Sequence, residues 1–146
     1  MNFGFDPARR AALAALACAV LAPRSAFAQD PRAALVQRAA RDWLALVDKL
    51  DAEASWKAAG ARFQQATPPA YWVETIKRDR EPRGALVQRA VAETAFGDSG
   101  PGLPDGGSYA LVSFRSAFAN QTDSREEVSL EVGVDYAWRV IGYVLQ

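Results

Sequence analysis

Because the chain has no histidine, an aspartate acting as base with a tyrosine acting as acid is its candidate combination for proton chemistry. Without histidine there is no Ser-His-Asp triad, no Cys-His dyad and no His-ligated metal site. An isomerase-type reaction needs a carboxylate base and an acid donor such as tyrosine. Asp42 or Asp48 combined with Tyr71 or Tyr143 could supply such a pair. Both aspartates fall toward the polar side of a predicted helix, where we expect solvated charges, so no catalytic residue is assigned.

Four side chains are candidates for binding a ligand, and each also has a purely structural interpretation. They are Trp72, Arg89, Tyr109 and Arg115. Arg89 and Glu93 are expected on one strand face with the apolar Val91, so Arg89 either lines a cavity or joins a surface ion pair. Arg115 shares a predicted face with Tyr109 and raises the same question. Trp72, like the other tryptophans, is expected to supply core area and to bond its indole N–H locally.

The sequence predicts no cofactor, no metal and no nucleic-acid partner. The glycines between Gly97 and Gly107 lack the strand-to-helix setting of a phosphate-binding loop. Asp98 and Asp105 in the same stretch do not have EF-hand spacing. The chain has 17 basic and 17 acidic residues. Proteins that bind nucleic acids usually have an excess of basic residues, so this balance argues against a nucleic-acid partner.

The first 28 residues have the pattern of an export signal. Arg9-Arg10 form a positive start, residues 11–22 are an unbroken apolar run, and Ala26-Phe27-Ala28 is a small-x-small cleavage motif. The run is too short for a stable membrane span. We therefore expect cleavage between Ala28 and Gln29 and a periplasmic or secreted protein. The general secretory route and the twin-arginine route both remain open.

Cleavage at that point leaves a single domain, residues 29–146, without cysteine. Cys18 is the one cysteine of the chain and lies inside the apolar run, which continues past it and disfavours a lipoprotein cysteine. Loss of residues 1–28 removes three arginines and one aspartate from the 17 basic and 17 acidic residues, so the net charge becomes −2. An exported domain without disulfides depends on its hydrophobic core for stability. A domain of this size buries about 65% of its unfolded surface, which is sufficient.

Three helices are predicted in the first half of the mature chain. The first starts at Asp30-Pro31, and its buried stripe is predicted as Leu35, Ala39, Trp43, Leu46 and Leu50. A second, shorter helix starts near Asp51 and ends before Thr67-Pro68-Pro69. The third takes Thr67 as its N-cap and stops near Pro82.

After Pro82 the period of the apolar residues changes to about 2, which predicts strands. They are predicted at 86–96, 109–119, 127–134 and 138–145, with a loop rich in glycine and proline over 97–107. Helices followed by strands with short links indicate the α+β class. The expected architecture is three N-terminal helices packed on one face of a four-stranded antiparallel sheet.

The last predicted strand is apolar on both faces, whereas helices can cover only one face of the sheet. Leu111 on the second strand and Ile141, Tyr143 and Leu145 on the last strand are expected on the uncovered face. Such a patch indicates a homodimer or another protein partner. The alternative is that the sheet curls and loop 97–107 covers the patch, and the sequence leaves both open.

A set of short motifs spread over nearly all of the mature chain resembles the bacterial exported family called domain of unknown function 4019. The motifs are Trp43-Leu44-x-Leu46-Val47-Asp48, Ser55-Trp56, Phe63, Trp72, Arg89, Pro101-x-x-Pro104-Asp105-Gly106, Tyr109, Phe118, Glu126 and Trp138-Arg139-Val140-x-Gly142-Tyr143. The family often has Asp-Gly before the last tryptophan, whereas Tyr136-Ala137 stand there in this chain. The resemblance implies a layout similar to the cone-shaped nuclear-transport-factor-2-like folds, by analogy of fold alone. It implies no reaction.

These features predict an exported, non-catalytic binding or interaction module. The alternative is a cone-type pocket protein that binds or isomerises a small apolar ligand with tyrosine and aspartate. The first interpretation expects a filled interior and a partner on the sheet face. The second expects a cavity that contains Arg89 or a tyrosine hydroxyl.

Overall fold

Helices fill the first half of the described chain and strands fill the second. The computed structural model describes residues 30–146, so the predicted signal and its cleavage site lie outside the described residues. The helices are α1 (Ala33–Asp48), α2 (Ala52–Ala58), α3 (Ala61–Ala66) and α4 (Pro69–Thr75), followed by a π turn (Ile76–Arg80) and a 3₁₀ turn (Glu81–Arg83). The strands are β1 (Leu86–Gly97), β2 (Tyr109–Phe118), β3 (Gln121–Val132) and β4 (Trp138–Leu145). No helix within residues 30–146 is long and apolar enough to cross a membrane.

Helix α1 contributes an apolar stripe to the core. Its buried residues recur every three or four positions and so lie on one helix face; they are Ala33, Val36, Ala40, Trp43, Leu44 and Val47. The predicted stripe is partly wrong, because the buried row of residues lies about one position further along the sequence than the predicted row, with Trp43 common to both. Leu35 is exposed, and Leu50 lies beyond the helix end. The error arises because two adjacent rows of α1 are apolar, and periodicity alone does not decide which row is buried.

Helix α1 ends in a left-handed cap at Leu50. The Leu50 N–H donates to Val47 O at 2.9 Å and the Asp51 N–H donates to Leu46 O at 3.1 Å, the two bonds of a Schellman motif. Leu50 has a φ of 58°, which glycine adopts more easily than leucine. Asp51 then caps α2, because its carboxylate accepts the N–H of Ala54 at 2.9 Å.

The predicted second helix is in fact two short helices, α2 and α3, separated at Gly60. The Gly60 N–H donates to Val140 O at 2.7 Å, so the chain bonds to the edge of β4 here. A Cβ at position 60 would lie 3.2 Å from that oxygen. The close approach of the two backbones therefore favours glycine at position 60, where the helix is interrupted.

The third predicted helix changes its winding after Thr75. It starts one residue later than predicted, with Pro68 as N-cap and Pro69 at the first helical position. From Ile76 the chain continues as the π turn and then the 3₁₀ turn. π turns are rare and occur frequently at functional sites. In this protein the turn places Arg80 in the interior.

The strands form an antiparallel meander in the order β1-β2-β3-β4, so the predicted α+β class and architecture are confirmed. Two register shifts interrupt the pairing of β1 with β2. Arg89 lies opposite Ser116, on the face toward the helices, whereas Glu93 lies opposite Ser113, on the outer face. The predicted common face of Arg89 and Glu93 is therefore wrong.

A bulge in β4 has the same effect on the last strand. Leu130 pairs with Val140 and Val128 pairs with Tyr143, so Ile141 is an extra residue. Because Val128 and Leu130 are both buried toward the helices, Tyr143 faces the helices too, and so does Leu145 opposite Glu126. The prediction that Ile141, Tyr143 and Leu145 share the outer face is wrong for the last two.

Aromatic rings fill the space between the helices and the sheet. Trp43, Phe63, Trp72 and Tyr143 form five ring pairs with centroids 5.2–6.2 Å apart, a range typical of stabilising aromatic contacts. Trp43 and Trp72 are buried, as predicted. Trp56 and Trp138 are partly buried and pack against the same core.

Candidate functional site

A carboxylate is buried between the helices and the sheet. Glu126 on β3 is fully buried, and both of its oxygens accept hydrogen bonds. Oε2 accepts from Arg89 Nε at 2.6 Å and from Ser116 Oγ. Oε1 accepts from Arg89 Nη2 at 3.0 Å and from the Tyr143 hydroxyl at 2.7 Å. Such extensive hydrogen bonding offsets the cost of burying the charge.

Arg89 connects Glu126 to a second carboxylate, Asp48, at the end of α1. Arg89 Nη1 and Nη2 donate to Asp48 at 2.8 and 3.0 Å, and Arg80 Nη2 donates to the same carboxylate at 3.1 Å. The expectation that Asp48 is solvated is wrong, because Asp48 continues the buried stripe one turn after Leu44 and its side chain is only 17% exposed. We call Asp48, Arg80, Arg89 and Glu126 the ion network; its formal charges sum to zero.

Arg80 reaches the ion network from the π turn. Its Nη1 donates to Gly84 O at 2.6 Å, and its guanidinium lies 4.3 Å from the centre of the Phe118 ring, a cation–π distance. Arg80 Nε has no hydrogen-bond partner, and it is the one such buried side-chain polar atom within residues 30–146.

Two pKa shifts follow from this packing. Burial opposes the charge on Arg89, but its hydrogen bonds to Asp48 and Glu126 outweigh burial and raise the pKa of the guanidinium. Burial, with the negative charge of Glu126 beside it, raises the pKa of the Tyr143 hydroxyl well above its ordinary value. Arg89 therefore stays charged, and Tyr143 stays protonated as a donor to Glu126.

Glu126 offers no free base, and Asp48 is held by two arginines. A general base needs a lone pair within reach of a substrate proton, whereas each Glu126 oxygen already accepts from two protein donors. The network instead joins the end of α1, the π turn, β1 and β3. No group of three or more potential metal ligands occurs in the part of the chain that the structure describes.

An open cleft of about 360 Å³ lies between α4 and β4, beside the ion network. We call it the α4–β4 cleft. It is lined by Phe63, Thr67, Tyr71, Trp72, Thr75, Ile76, Arg78, Asp79, Arg80 and residues 141–145. Arg80 belongs both to this lining and to the ion network. Tyr143 also belongs to the lining, and its hydroxyl donates to Glu126 of the network. The network therefore supports one wall of the cleft.

The aromatic floor of the cleft is held by hydrogen bonds. Trp72 Nε1 donates to Ser55 Oγ at 2.9 Å, and Trp43 Nε1 donates to Ser55 O at 2.8 Å. Ser55 is fully buried and its hydroxyl donates to Asp51 O at 2.7 Å. These bonds fix the Trp72 ring, so the cleft is largely formed before anything enters it.

The rim of the cleft carries an exposed ion pair. Arg78 Nη2 lies 2.7 Å from Asp79 Oδ2, and this contact raises the pKa of Arg78 and lowers the pKa of Asp79. Tyr71 beside them is largely exposed. The third charged residue of the lining, Arg80, is compensated by Asp48 of the ion network.

The four predicted ligand residues do not form one site. Trp72 lines the α4–β4 cleft, and Arg89 lies in the ion network with only 6% of its side chain exposed. Tyr109 and Arg115 lie on the outer face of the sheet. There the Tyr109 hydroxyl donates to Pro104 O at 2.9 Å, whereas Arg115 is exposed and 4.0 Å from Asp123.

The predicted interface residues separate into two pairs. Leu111 and Ile141 line a second cavity of about 300 Å³ on the outer face, under loop 97–107. We call it the loop cavity. Tyr143 and Leu145 line the α4–β4 cleft on the opposite side of the sheet. The loop thus covers part of the outer face, and Leu111 and Val144 remain partly exposed there.

Sequence reasoning missed Asp48, Arg80, Ser116 and Glu126 as members of a buried cluster. For Glu126 a signal exists, because it precedes Val128 and Leu130 at a spacing of two and so shares their face. For Asp48 the signal is its position four residues after Leu44, although it becomes visible only once the buried row of α1 is known. We find no sequence signal for Arg80, since it depends on the π turn.

Comparison with known proteins places the chain in a family without a known activity. A search of curated proteins and a search of solved structures each found no match. The family model described as "Protein of unknown function (DUF4019)" matches residues 39–143. That range includes the ion network, the lining of the α4–β4 cleft except Val144 and Leu145, and the four strands up to Tyr143. The chain therefore belongs to the DUF4019 family.

Proposed function

We propose that this protein is an exported binding module that takes its ligand in the α4–β4 cleft. The observation that carries the proposal is the contrast between the two parts of the site. The buried charges of the ion network are bonded to one another, whereas the cleft beside them is open and partly apolar. Binding sites commonly combine a preformed apolar cleft with a few polar groups, and Arg78, Thr67 and Thr75 provide such groups here.

Native mass spectrometry of the protein isolated from its host compartment tests this proposal. Thr75 lines the cleft, so Thr75→Trp should fill it; Glu74, its exposed neighbour outside the lining, provides the matched control Glu74→Trp. We expect the wild type and Glu74→Trp to carry a discrete non-covalent mass that Thr75→Trp lacks. A bare protein in all three samples, or a mass that Thr75→Trp retains, would contradict the proposal.

Export is part of the proposal, and the pattern of residues 1–28 supports it. The same spectra test it, because removal of residues 1–28 gives a defined intact mass. We expect that mass in the periplasmic or secreted fraction. An uncleaved chain in the cytoplasmic fraction would contradict export without affecting the cleft.

The loop cavity supports a second candidate function, the binding of a small apolar ligand. Its lining includes Phe96, Leu103, Leu111 and Ile141, and few polar groups face it. Leu111→Trp should remove a ligand bound there and leave a ligand of the α4–β4 cleft in place. A homodimer through the outer face has less support, because loop 97–107 covers part of the apolar surface that would form it.

A further inference from the structure

The second half of β4 is an open strand edge inside the α4–β4 cleft. Arg125 and Gln146 exchange both backbone hydrogen bonds, at 3.0 and 2.8 Å. In an antiparallel pair such positions alternate, so the backbone N–H and C=O of Tyr143 and Leu145 point away from β3. Tyr143 and Leu145 both line the cleft. Two N–H and two C=O groups in register are therefore presented to whatever occupies it.

The first half of the same edge is closed by the protein itself. The Gly60 N–H at the start of α3 donates to Val140 O at 2.7 Å. This bond shows that the outer edge of β4 can accept a further backbone segment at that spacing. Beyond the Ile141 bulge no segment of residues 30–146 takes the corresponding place, and the α4–β4 cleft begins.

Beyond the Ile141 bulge, β4 has no feature that usually protects a strand edge. Gly142-Tyr143-Val144-Leu145 contains no charge and no proline, and its pairing with β3 has no further register shift, whereas exposed edges are normally blocked by lysine, proline or bulges. The other edge strand, β1, has two register shifts within its pairing. An apolar, unprotected edge of this kind is a site for strand addition.

The polar groups of the cleft indicate what the added segment carries. Arg78 is paired with Asp79 and Arg80 is paired with Asp48, so the charges around the cleft are compensated. Arg80 is buried and its Nε has no hydrogen-bond partner. A neutral hydrogen-bond acceptor near the π turn would complement this N–H.

Resting on the proposed function, we infer that the ligand is an extended segment of a partner polypeptide. It pairs as an additional strand with Tyr143 and Leu145, places apolar side chains against Trp72 and Ile76, and directs a hydrogen-bond acceptor toward Arg80 Nε. Backbone hydrogen bonds supply affinity in this mode of binding, and alternate side chains supply specificity.

This inference is tested by selecting random twelve-residue peptides, displayed on phage, against the protein isolated from its host compartment. We expect enriched peptides with alternating apolar residues. Leu145→Pro removes the outward N–H and leaves the bonds between β3 and β4, and it should weaken a synthesised peptide about tenfold or more. Leu145→Val keeps the N–H and is the matched control, expected to bind within about twofold of the wild type.

Amide hydrogen exchange of the wild type keeps the test decisive if Leu145→Pro does not fold. A bound peptide should slow exchange at Tyr143 and Leu145 more than at Val144, whose N–H already faces β3.

Failure to enrich any peptide, or enriched peptides that leave these two amides unchanged, would overturn strand addition. If the Thr75→Trp-sensitive mass is present in that case, the proposed function stands; if it is absent too, both fail. A dimer that protects the same amides without peptide would assign the edge to a second copy, and overturn the inference.

Discussion

A buried carboxylate such as Glu126 keeps its charge in the core only when protein donors replace the water it loses. Arg89, Ser116 and Tyr143 provide those donors. The burial of Glu126 is indicated by its spacing of two from Val128 and Leu130, whereas the burial of Arg89 is not identifiable from its own neighbours in the sequence. Arg89 is an arginine in a predicted edge strand, and its burial depends on two register shifts that no local pattern indicates. This is why the sequence left the role of Arg89 open.

The replacement Glu126→Gln should strongly destabilise the protein, because it leaves the buried ion network with one uncompensated positive charge, as Arg80 and Arg89 would then share Asp48 alone. Breaking a buried ion pair by removing one partner costs about 3–5 kcal/mol. Glu127→Gln, the adjacent residue on the outer face, disturbs a partly exposed pair with Arg125, and such pairs contribute about 0–1 kcal/mol. Urea unfolding of both variants measures the difference. Equal losses would show that the ion network does not stabilise the fold.

Tyr143 should make the stability of the protein depend on alkaline pH. Its pKa is raised in the folded state, so its contribution is complete below the unfolded value of about 10 and is lost as the pH rises through the folded value. The free energy of unfolding of the wild type should therefore fall toward that of Tyr143→Phe above about pH 10. Denaturant unfolding of both proteins between neutral pH and pH 11 measures the gap. A gap that stays constant over this range would contradict the raised pKa.

At the scale of elements, the sequence predicts the order of helices and strands, the loop over 97–107 and the bounds of β4. The deviations have local physical causes. Gly60 interrupts a helix because the backbone of β4 approaches it closely. The bulge at Ile141 moves Tyr143 to the inner face because a one-residue shift reverses every later side chain. Contacts between distant segments set both features, and periodicity within one segment does not contain them.

The cap of α1 provides a prediction at this scale. Leu50 occupies the left-handed position of a Schellman motif, where glycine is the usual residue. Leu50→Gly should stabilise the protein by up to about 1 kcal/mol, since leucine in this conformation carries roughly that strain. Lys49→Gly is the control, because Lys49 has an ordinary helical φ of −77° and should lose stability. Thermal unfolding distinguishes the two. A destabilised Leu50→Gly would mean that the leucine side chain contributes more than its backbone costs.

At the scale of the whole molecule, the two sides of the sheet differ in what packs against them. The inner side holds the aromatic core, the ion network and the wall of the α4–β4 cleft. The outer side has an apolar part under loop 97–107, and Val144 is half exposed elsewhere on it. The sequence predicted a single apolar outer patch, and the β4 bulge instead moves half of it to the cleft. The candidate site therefore could not be assembled before the register of β4 was known.

A crystal structure of the protein isolated from its host compartment, without refolding, tests the central claim most directly. That claim is that the ion network supports the fold while the α4–β4 cleft binds. We predict additional electron density in the cleft, next to the edge of β4, with the Arg89–Glu126 and Arg89–Asp48 contacts unchanged. A ligand bonded to Glu126 or Arg89, with those contacts opened and the cleft empty, would contradict the account.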